Sequence, residues 1–95
     1  MPNKIEQTFA NKMRIEGWKV YRNGWPDFII QRKGMLIAVE IKPDNEELRI
    51  QQVKIMDILV SAGIKCCKWT PSSGMTDYIT NKQRRKIIML QKQKI

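Results

Sequence analysis

The sequence predicts an α/β domain in which helices flank a mixed sheet, in the order helix, strand, strand, strand, helix, strand. Three observations predict it. Apolar residues recur at every fourth position near the N-terminus, two apolar runs flank a Lys-Gly pair in the middle, and a long apolar segment ends at Gly63. The first and third patterns are typical of helices, and the second is typical of a β-hairpin. A further strand and a basic helical tail follow Gly63.

The first helix is predicted to begin after Asn3, which can cap it, and to run to about Glu16 before Gly17 ends it. Its core stripe consists of Ile5, Phe9 and Met13. Residues 18–22 alternate between apolar and polar side chains, which is typical of a half-buried strand. The Asn-Gly pair at 23–24 is a strong turn signal. The first helix therefore leads directly into the sheet.

The central hairpin is predicted around Lys33 and Gly34, between two runs rich in β-branched residues. With these two residues as the loop, the register sets Asp27 directly opposite Glu40. Opposed residues share one face of the sheet, with Cβ atoms roughly 4.5–5.5 Å apart. Lys42 lies two positions beyond Glu40 and joins that face. A bulged three-residue loop would instead offset the pair by one position.

Two carboxylates at this distance repel each other unless a cation lies between them or one is protonated. Divalent ions such as Mg²⁺ prefer oxygen ligands, and a lysine beside them can orient a water or stabilise developing negative charge. The alternative is a surface hairpin in which Asp27 caps a turn and Glu40 pairs with a lysine. Because Glu40 lies within an apolar run, where an unpaired carboxylate is costly, the sequence favours a site.

The second helix is predicted from about Asn45 to Ala62. Pro43 stops the preceding strand, and Asp44 with Glu47 matches a capping box. Apolar residues extend around most of this helix, which indicates a well-buried helix or a contact with another subunit. Residues 64–69 read as a strand and 70–74 as a loop, whereas residues 75–80 are ambiguous and are compatible with the start of a short helix.

The composition limits the chemistry. The 95 residues support one domain, with a core at about 3–69 and a basic tail at about 76–95, and they include no histidine. Histidine-based catalysis and histidine metal sites are therefore excluded. Cys66 and Cys67 are adjacent, a spacing that fits neither zinc binding nor a redox pair. With no signal peptide and no membrane-spanning run, we expect a cytoplasmic protein of bacterial or phage origin.

A polyanionic partner is indicated by the net charge of +9, from 18 basic and 9 acidic residues. Nucleic acid is the first candidate; a structural basic surface, as in ribosome-associated proteins, and an anionic membrane are the alternatives. No acid follows Asp77, and the tail has six cations: Lys82, Arg84, Arg85, Lys86, Lys92 and Lys94. We expect a basic helix that docks through apolar positions and contacts a phosphate backbone.

Pro26-Asp27 followed by Glu40-x-Lys42 resembles the motif of the PD-(D/E)XK nuclease superfamily. Further matches make the chain similar to the small standalone form of the VRR-NUC branch over about residues 5–69. These matches are Glu6 in the first helix, Gly17-Trp18-Lys19-Val20, Gly24, and Gln52 eleven residues before Gly63. The resemblance implies a restriction-endonuclease-like αβββαβ core with a basic C-terminal helical tail.

The resemblance also implies a DNA nuclease dependent on Mg²⁺ or Mn²⁺. Asp27, Glu40 and the backbone carbonyl of Ile41 would hold the metal, Lys42 would position a water or neutralise charge, and Glu6 and Gln52 would form an outer ring. Glu6 also reads as a first-turn acid favoured by the helix dipole. Phosphate contacts are expected from Lys19, Arg22, Lys68, Arg84, Arg85 and Lys86, and Trp25 is a further candidate contact.

Relatives of this kind include enzymes that cut branched DNA such as Holliday junctions, and these usually act as dimers. We therefore expect DNA as the partner, a homodimer as the assembly, and no organic cofactor. The alternative from another functional class is a catalytically inactive nucleic-acid-binding or adaptor domain with the same fold. Dependence on a divalent metal separates the two, because a pure binder retains DNA without cutting it.

Overall fold

A five-stranded mixed sheet organises the protein in the computed structural model, which describes residues 3–22, 24 and 26–92. The strand order follows the sequence, and all neighbours are antiparallel except the parallel pair β3–β4. No helix among these residues is both long and apolar enough to cross a bilayer. The elements are α1 (Lys4–Ile15), β1 (Lys19–Arg22), β2 (Phe28–Arg32), β3 (Met35–Ile41), α2 (Ile50–Ser61), β4 (Lys65–Thr70), β5 (Gly74–Asp77) and α3 (Asn81–Lys92). The α/β class and the predicted order are confirmed, with one strand added.

The β2–β3 hairpin has the predicted two-residue loop. Lys33 and Gly34 adopt φ values of +50° and +79°, as a type I′ turn requires at both central positions. This turn twists in the same sense as the strands, which fixes the pairing without a bulge. Phe28 pairs with Val39, so the next positions outward are those of Asp27 and Glu40. The predicted register is therefore confirmed, and the one-residue offset is excluded.

Replacing Gly34 with Ala is expected to lower the free energy of unfolding by about 1 kcal/mol, because a side chain disfavours a left-handed backbone. A Cβ at this position would meet no atom within 4 Å, so the cost arises from the backbone alone. Urea unfolding measures it. Gly24→Ala is the matched control, since a Cβ there is equally free of contacts and the φ of Gly24 is outside the left-handed region. Equal stabilities for the two variants would contradict the turn assignment.

Helix α1 covers one face of the sheet. Asn3 caps it as predicted: its side chain accepts a hydrogen bond from the Glu6 N–H, and the Glu6 side chain accepts one from the Asn3 N–H. The fully buried Phe9 contacts the rings of Phe28 and Trp69, with centroids 5.2 and 5.4 Å away. Since Phe28 and Trp69 belong to β2 and β4, this helix holds the central strands together from one side.

Helix α2 packs on the opposite face and is shorter than predicted. It begins at Ile50 rather than near Asn45, and the predicted capping box of Asp44 with Glu47 is wrong. The Asp44 carboxylate instead accepts hydrogen bonds from the backbone N–H and hydroxyl of Ser72. Because Ser72, in the β4–β5 connection, binds the Asp44 carboxylate, that carboxylate does not cap the helix. Residues 43–49 form an irregular segment at the end of β3.

The expected deep burial of α2 is also wrong. Met56 is its one buried residue. Three isoleucines of this helix remain exposed: Ile50, Ile55 and Ile58. The sheet accommodates only one side of the helix, so its opposite apolar face lies on the protein surface.

Strand β5 is not predicted by the sequence pattern, in which residues 75–80 are compatible with the start of a short helix. Gly74, with φ of +68°, closes a tight connection, and Met75 to Asp77 return antiparallel along β4. Thr76 donates its hydroxyl hydrogen to the Lys68 carbonyl. Four residues are too few for periodicity to identify a strand, so this pairing is set by tertiary contacts.

Helix α3 forms in the basic tail, as predicted. Thr80 and Gln83 cap it reciprocally through side-chain and backbone hydrogen bonds. The predicted docking through the apolar side chains 87–90 is not seen, because all four are 44–63% exposed. Lys94 and Trp25, both predicted to contribute to the nucleic-acid surface, lie outside the described residues.

Candidate metal and nucleic-acid site

The structure brings Asp27, Glu40 and Lys42 together at one end of the sheet. Asp27 precedes β2, Glu40 is the penultimate residue of β3, and Lys42 directly follows that strand. Oδ2 of Asp27 accepts a hydrogen bond from the N–H of Ile41 at 3.0 Å. This bond ties the start of β2 to the end of β3, and it holds the Asp27 carboxyl group beside Glu40.

Glu40 is the most unusual ionisable group at this end of the sheet. Its exposure is 2%, and its Oε2 is buried without a hydrogen-bond partner. Burial, followed by the hydrogen bond and the negative charge of the Asp27 carboxyl, raises the pKa of Glu40 to about 8, although the positive charge of Lys42 acts in the opposite direction. The pair therefore retains a proton near neutral pH unless another positive charge replaces it.

Lys42 is only 6% exposed. Its backbone N–H donates to the Trp69 carbonyl at 2.9 Å, which fixes the end of β3 against β4. Its Nζ lies 3.9 Å from Oε1 of Glu46, in the irregular segment after the strand. Burial and the contact with Glu46 hold the ammonium group near the site, where its charge lowers the pKa of Glu40.

The side chains at this position fit a divalent cation. The donors are hard carboxylate oxygens, which Mg²⁺ and Mn²⁺ prefer. The unpartnered Oε2 of Glu40 is a buried acceptor that a cation would satisfy. Among the described residues, no group of three or more His, Cys, Asp or Glu side chains forms a fuller ligand set. A metal here would need the Ile41 carbonyl, water or a substrate phosphate as additional ligands.

Glu6 lies at the same end of the sheet but on the α1 side. Its Oε2 is 3.2 Å from an amino group of Arg22, and Arg22 pairs with Phe28, the neighbour of Asp27. Glu6 also completes the cap of α1. The structure thus places Glu6 at the margin of the site, paired with a cation, and its predicted role toward a metal remains a prediction.

Gln52 lies in the first turn of α2, on the same face of the sheet as Glu40. Its side-chain carbonyl accepts a hydrogen bond from the N–H of Arg49 at 2.8 Å. The side-chain carbonyl therefore caps the start of α2. The amide NH₂ group is the part of Gln52 that can take a role at the site. That role is untested by this geometry and remains a prediction.

The predicted phosphate-contacting residues divide into three places. Lys68 is the direct neighbour of Glu40 in the parallel β3–β4 ladder, whereas Arg22 lies at the same end of the sheet on the α1 face, where it contacts Glu6. Lys19 pairs with Gln31, three residues along β1 from Arg22 and thus roughly 10 Å away. The exposed α3 carries the remaining three, Arg84, Arg85 and Lys86. The basic surface is therefore broader than the carboxylate site.

Glu46 and Glu47 are the neighbours of the site that the sequence interpretation missed. Glu46 pairs with Lys42, and Oε2 of Glu47 lies 3.7 Å from Nζ of Lys68. Residues 44–47 match a helix cap in sequence, and that pattern predicts local hydrogen bonds rather than contacts with Lys42 and Lys68. Lys42 and Glu46 have a helical spacing but lie in an irregular segment, so only the fold reveals the contact.

The fold is similar to that of a Holliday junction resolvase, Hjc, from the hyperthermophilic archaeon Archaeoglobus fulgidus. The two structures superpose with a TM-score of 0.57 over 79% of this chain and 69% of the resolvase chain, at 15% sequence identity. This level of similarity establishes a shared fold and agrees with the predicted restriction-endonuclease-like core. No protein-family model matches the sequence, and no curated protein matches it significantly. The VRR-NUC branch therefore remains a prediction.

Proposed function

We propose that the protein is a divalent-metal-dependent DNA endonuclease of the PD-(D/E)XK superfamily, close to its VRR-NUC branch. The observation that carries the proposal is the buried, unpartnered Oε2 of Glu40 beside Asp27 and Lys42. A carboxyl group in this environment destabilises a fold in the absence of a cation. Its position at the end of two strands, beside exposed basic residues, suits a phosphodiester substrate.

Asp27 and Glu40 would hold Mg²⁺ or Mn²⁺, with the Ile41 carbonyl as a further ligand. The metal would polarise the scissile phosphate and increase the acidity of a bound water. Lys42 is held at the carboxylate pair by burial, so its ammonium group would orient the attacking water or offset charge on the phosphorane. Glu40 would lose its proton on metal binding, which makes the loaded site favoured at higher pH.

The preferred substrate is proposed to be branched DNA. One solved protein with a similar fold is a Holliday junction resolvase. A domain of 95 residues offers one carboxylate pair, whereas resolution of a four-way junction requires two cuts. A homodimer with two symmetric sites would provide them. The exposed apolar faces of α2 and α3 are available for such a contact.

Digestion of linear, flap and four-way DNA with Mg²⁺ or Mn²⁺ tests the proposal. We expect cleavage with either metal, none in EDTA, and the fastest cleavage on the four-way substrate. The readout is the length of end-labelled products on a denaturing gel. Salt-dependent DNA retention without any nicking in either metal would instead identify the protein as a non-enzymatic binding domain.

A further inference from the structure

A second cleft lies beside the carboxylate pair on the α2 face of the sheet. It has a volume of about 310 Å³, and it is formed by β4 and β5, the segment before α2, and the start of α3. Tyr78 supports its wall, since its hydroxyl is bound by Asp57 and by the Val53 carbonyl. The size falls at the lower end of the range for ligand sites, roughly 300–1,000 Å³. The cleft can therefore admit a phosphate with part of its sugar.

Lys68 connects this cleft to the carboxylate pair. It lines the cleft and is the ladder neighbour of Glu40, on the same face of the sheet. Adjacent strands are about 4.8 Å apart, so the cleft begins one strand away from Glu40. Arg84, from the first turns of α3, lines the other side. Two cations thus line one opening, together with Glu47 and with Asp77, whose carboxylate is paired with Lys65.

The carboxylate of Glu47 already contacts the ammonium group of Lys68. Oε2 of Glu47 is 3.7 Å from Nζ of Lys68, and the Glu47 side chain is 90% exposed whereas the Lys68 side chain is 21% exposed. The lysine is thus held by the fold, and the glutamate reaches it from solvent. Such an exposed pair contributes only about 0–1 kcal/mol, so a phosphate can displace the carboxylate at little cost.

We propose that this cleft is a phosphate subsite for the nucleotide next to the scissile bond, and that Glu47 occupies it in the free protein. Lys68 and Arg84 would bind the phosphate after Glu47 swings into solvent. This inference rests on the proposed nuclease function, because the subsite is defined by its position next to the scissile phosphate. Glu46 holds Lys42 in a similar way at 3.9 Å, so adjacent glutamates shield both lysines that face the substrate strand.

A double-mutant cycle on DNA binding tests the proposal. The probe is a fluorescein-labelled four-way junction in EDTA, where binding is measured without cleavage, by anisotropy at several salt concentrations. Glu47→Gln is expected to tighten binding about two- to five-fold, the range set by an exposed ion pair. Lys68→Ala is expected to weaken binding and to reduce the slope of log affinity against log salt by about 1. In the Lys68→Ala background, Glu47→Gln should have no further effect.

Glu16→Gln is the matched control, because it makes the same change in net charge on an exposed residue at the far end of α1. A gain equal to that of Glu47→Gln would show a general charge effect and overturn the subsite. A Glu47→Gln gain that persists without Lys68 would overturn it as well. Because Glu47 is exposed, its substitution leaves the fold intact, so the comparison of Glu47→Gln with Glu16→Gln is independent of the stability of the Lys68 variant.

The cycle also separates this inference from the nuclease proposal. Intact coupling between Glu47 and Lys68 in a protein that cuts no DNA would retain the subsite and refute the nuclease. Metal-dependent cleavage without coupling would retain the nuclease and refute the subsite. Arg84→Ala extends the test, since it should weaken binding in both the parent and the Lys68→Ala background.

Discussion

DNA cleavage is expected to fall by at least about 10³-fold in Asp27→Asn, Glu40→Gln and Lys42→Ala, while most of the DNA affinity is retained. Each substitution removes one charge from the site that would hold the metal and the scissile phosphate. Stabilisation of this kind is worth several kcal/mol, and each 1.36 kcal/mol corresponds to about a factor of ten in rate. The carboxamide variants keep the size of the side chain, so the loss should appear in kcat.

The affinity should survive because the exposed cations lie outside the three substituted positions, and the largest group of them is on α3. Lys65→Ala is the matched lysine control. Lys65 begins β4, at the end of the sheet opposite Lys42, and pairs with Asp77 at 3.7 Å with a half-exposed side chain. Single-turnover cleavage and anisotropy on the same DNA measure the two quantities. Parent-like cleavage by all three site variants would refute the assigned chemistry.

Metal-free protein is expected to lose stability as the pH rises from about 4.5 to about 8. The pKa of Glu40 is raised to about 8 in the fold by burial and by Asp27. A folded state that holds a proton more tightly than the unfolded chain is favoured at low pH, and this advantage disappears once the pH passes the folded pKa. The magnitude is of the order of a few kcal/mol for a shift of this size.

Two perturbations should remove this dependence. Mg²⁺ should stabilise the protein more at pH 8 than at pH 5.5, because at low pH it competes with the proton on Glu40. Glu40→Gln should raise the stability of the metal-free protein at pH 8 and flatten its pH profile, since the amide carries no charge at any pH. The same substitution removes activity, so stability and function are opposed at this position.

Thermal unfolding in EDTA and in Mg²⁺ across this pH range provides the measurement. Glu16→Gln serves as the control, because it is an exposed glutamate far from the site and should reproduce the parent profile. If the parent and Glu40→Gln lose stability in parallel above pH 6, Glu40 does not hold the proton in the fold. The proposed cation site would then lose the raised pKa of Glu40, which is its main electrostatic evidence.

The hairpin and α1 could be predicted from the sequence because their determinants are local. Lys33-Gly34 between two apolar runs specifies a two-residue turn, and that turn alone sets Asp27 beside Glu40. Asn3 and Glu6 specify the start of α1 through a reciprocal cap. In each case, residues within a few positions of one another carry the whole signal.

The errors occurred where distant residues determine the outcome. Asp44 has the spacing of a helix cap, but Ser72, 28 residues further along the chain, binds its carboxylate. Strand β5 depends on pairing with β4 rather than on its own four residues. The Glu47–Lys68 contact needs both features to be in place. Such competition between local and tertiary partners cannot be evaluated from spacing alone.

The parallel pairing of β3 with β4 has a consequence for how the molecule is assembled. Asp27 and Glu40 are brought together by a short loop, whereas Lys68 reaches Glu40 only after the chain has crossed the sheet through α2. Closing that larger loop costs more entropy, and contacts of high sequence separation form slowly. During synthesis, the pair of Asp27 and Glu40 would therefore form before β4 pairs with β3. The repulsion between the two acids is therefore present in the hairpin before Lys68 adds its positive charge beside Glu40.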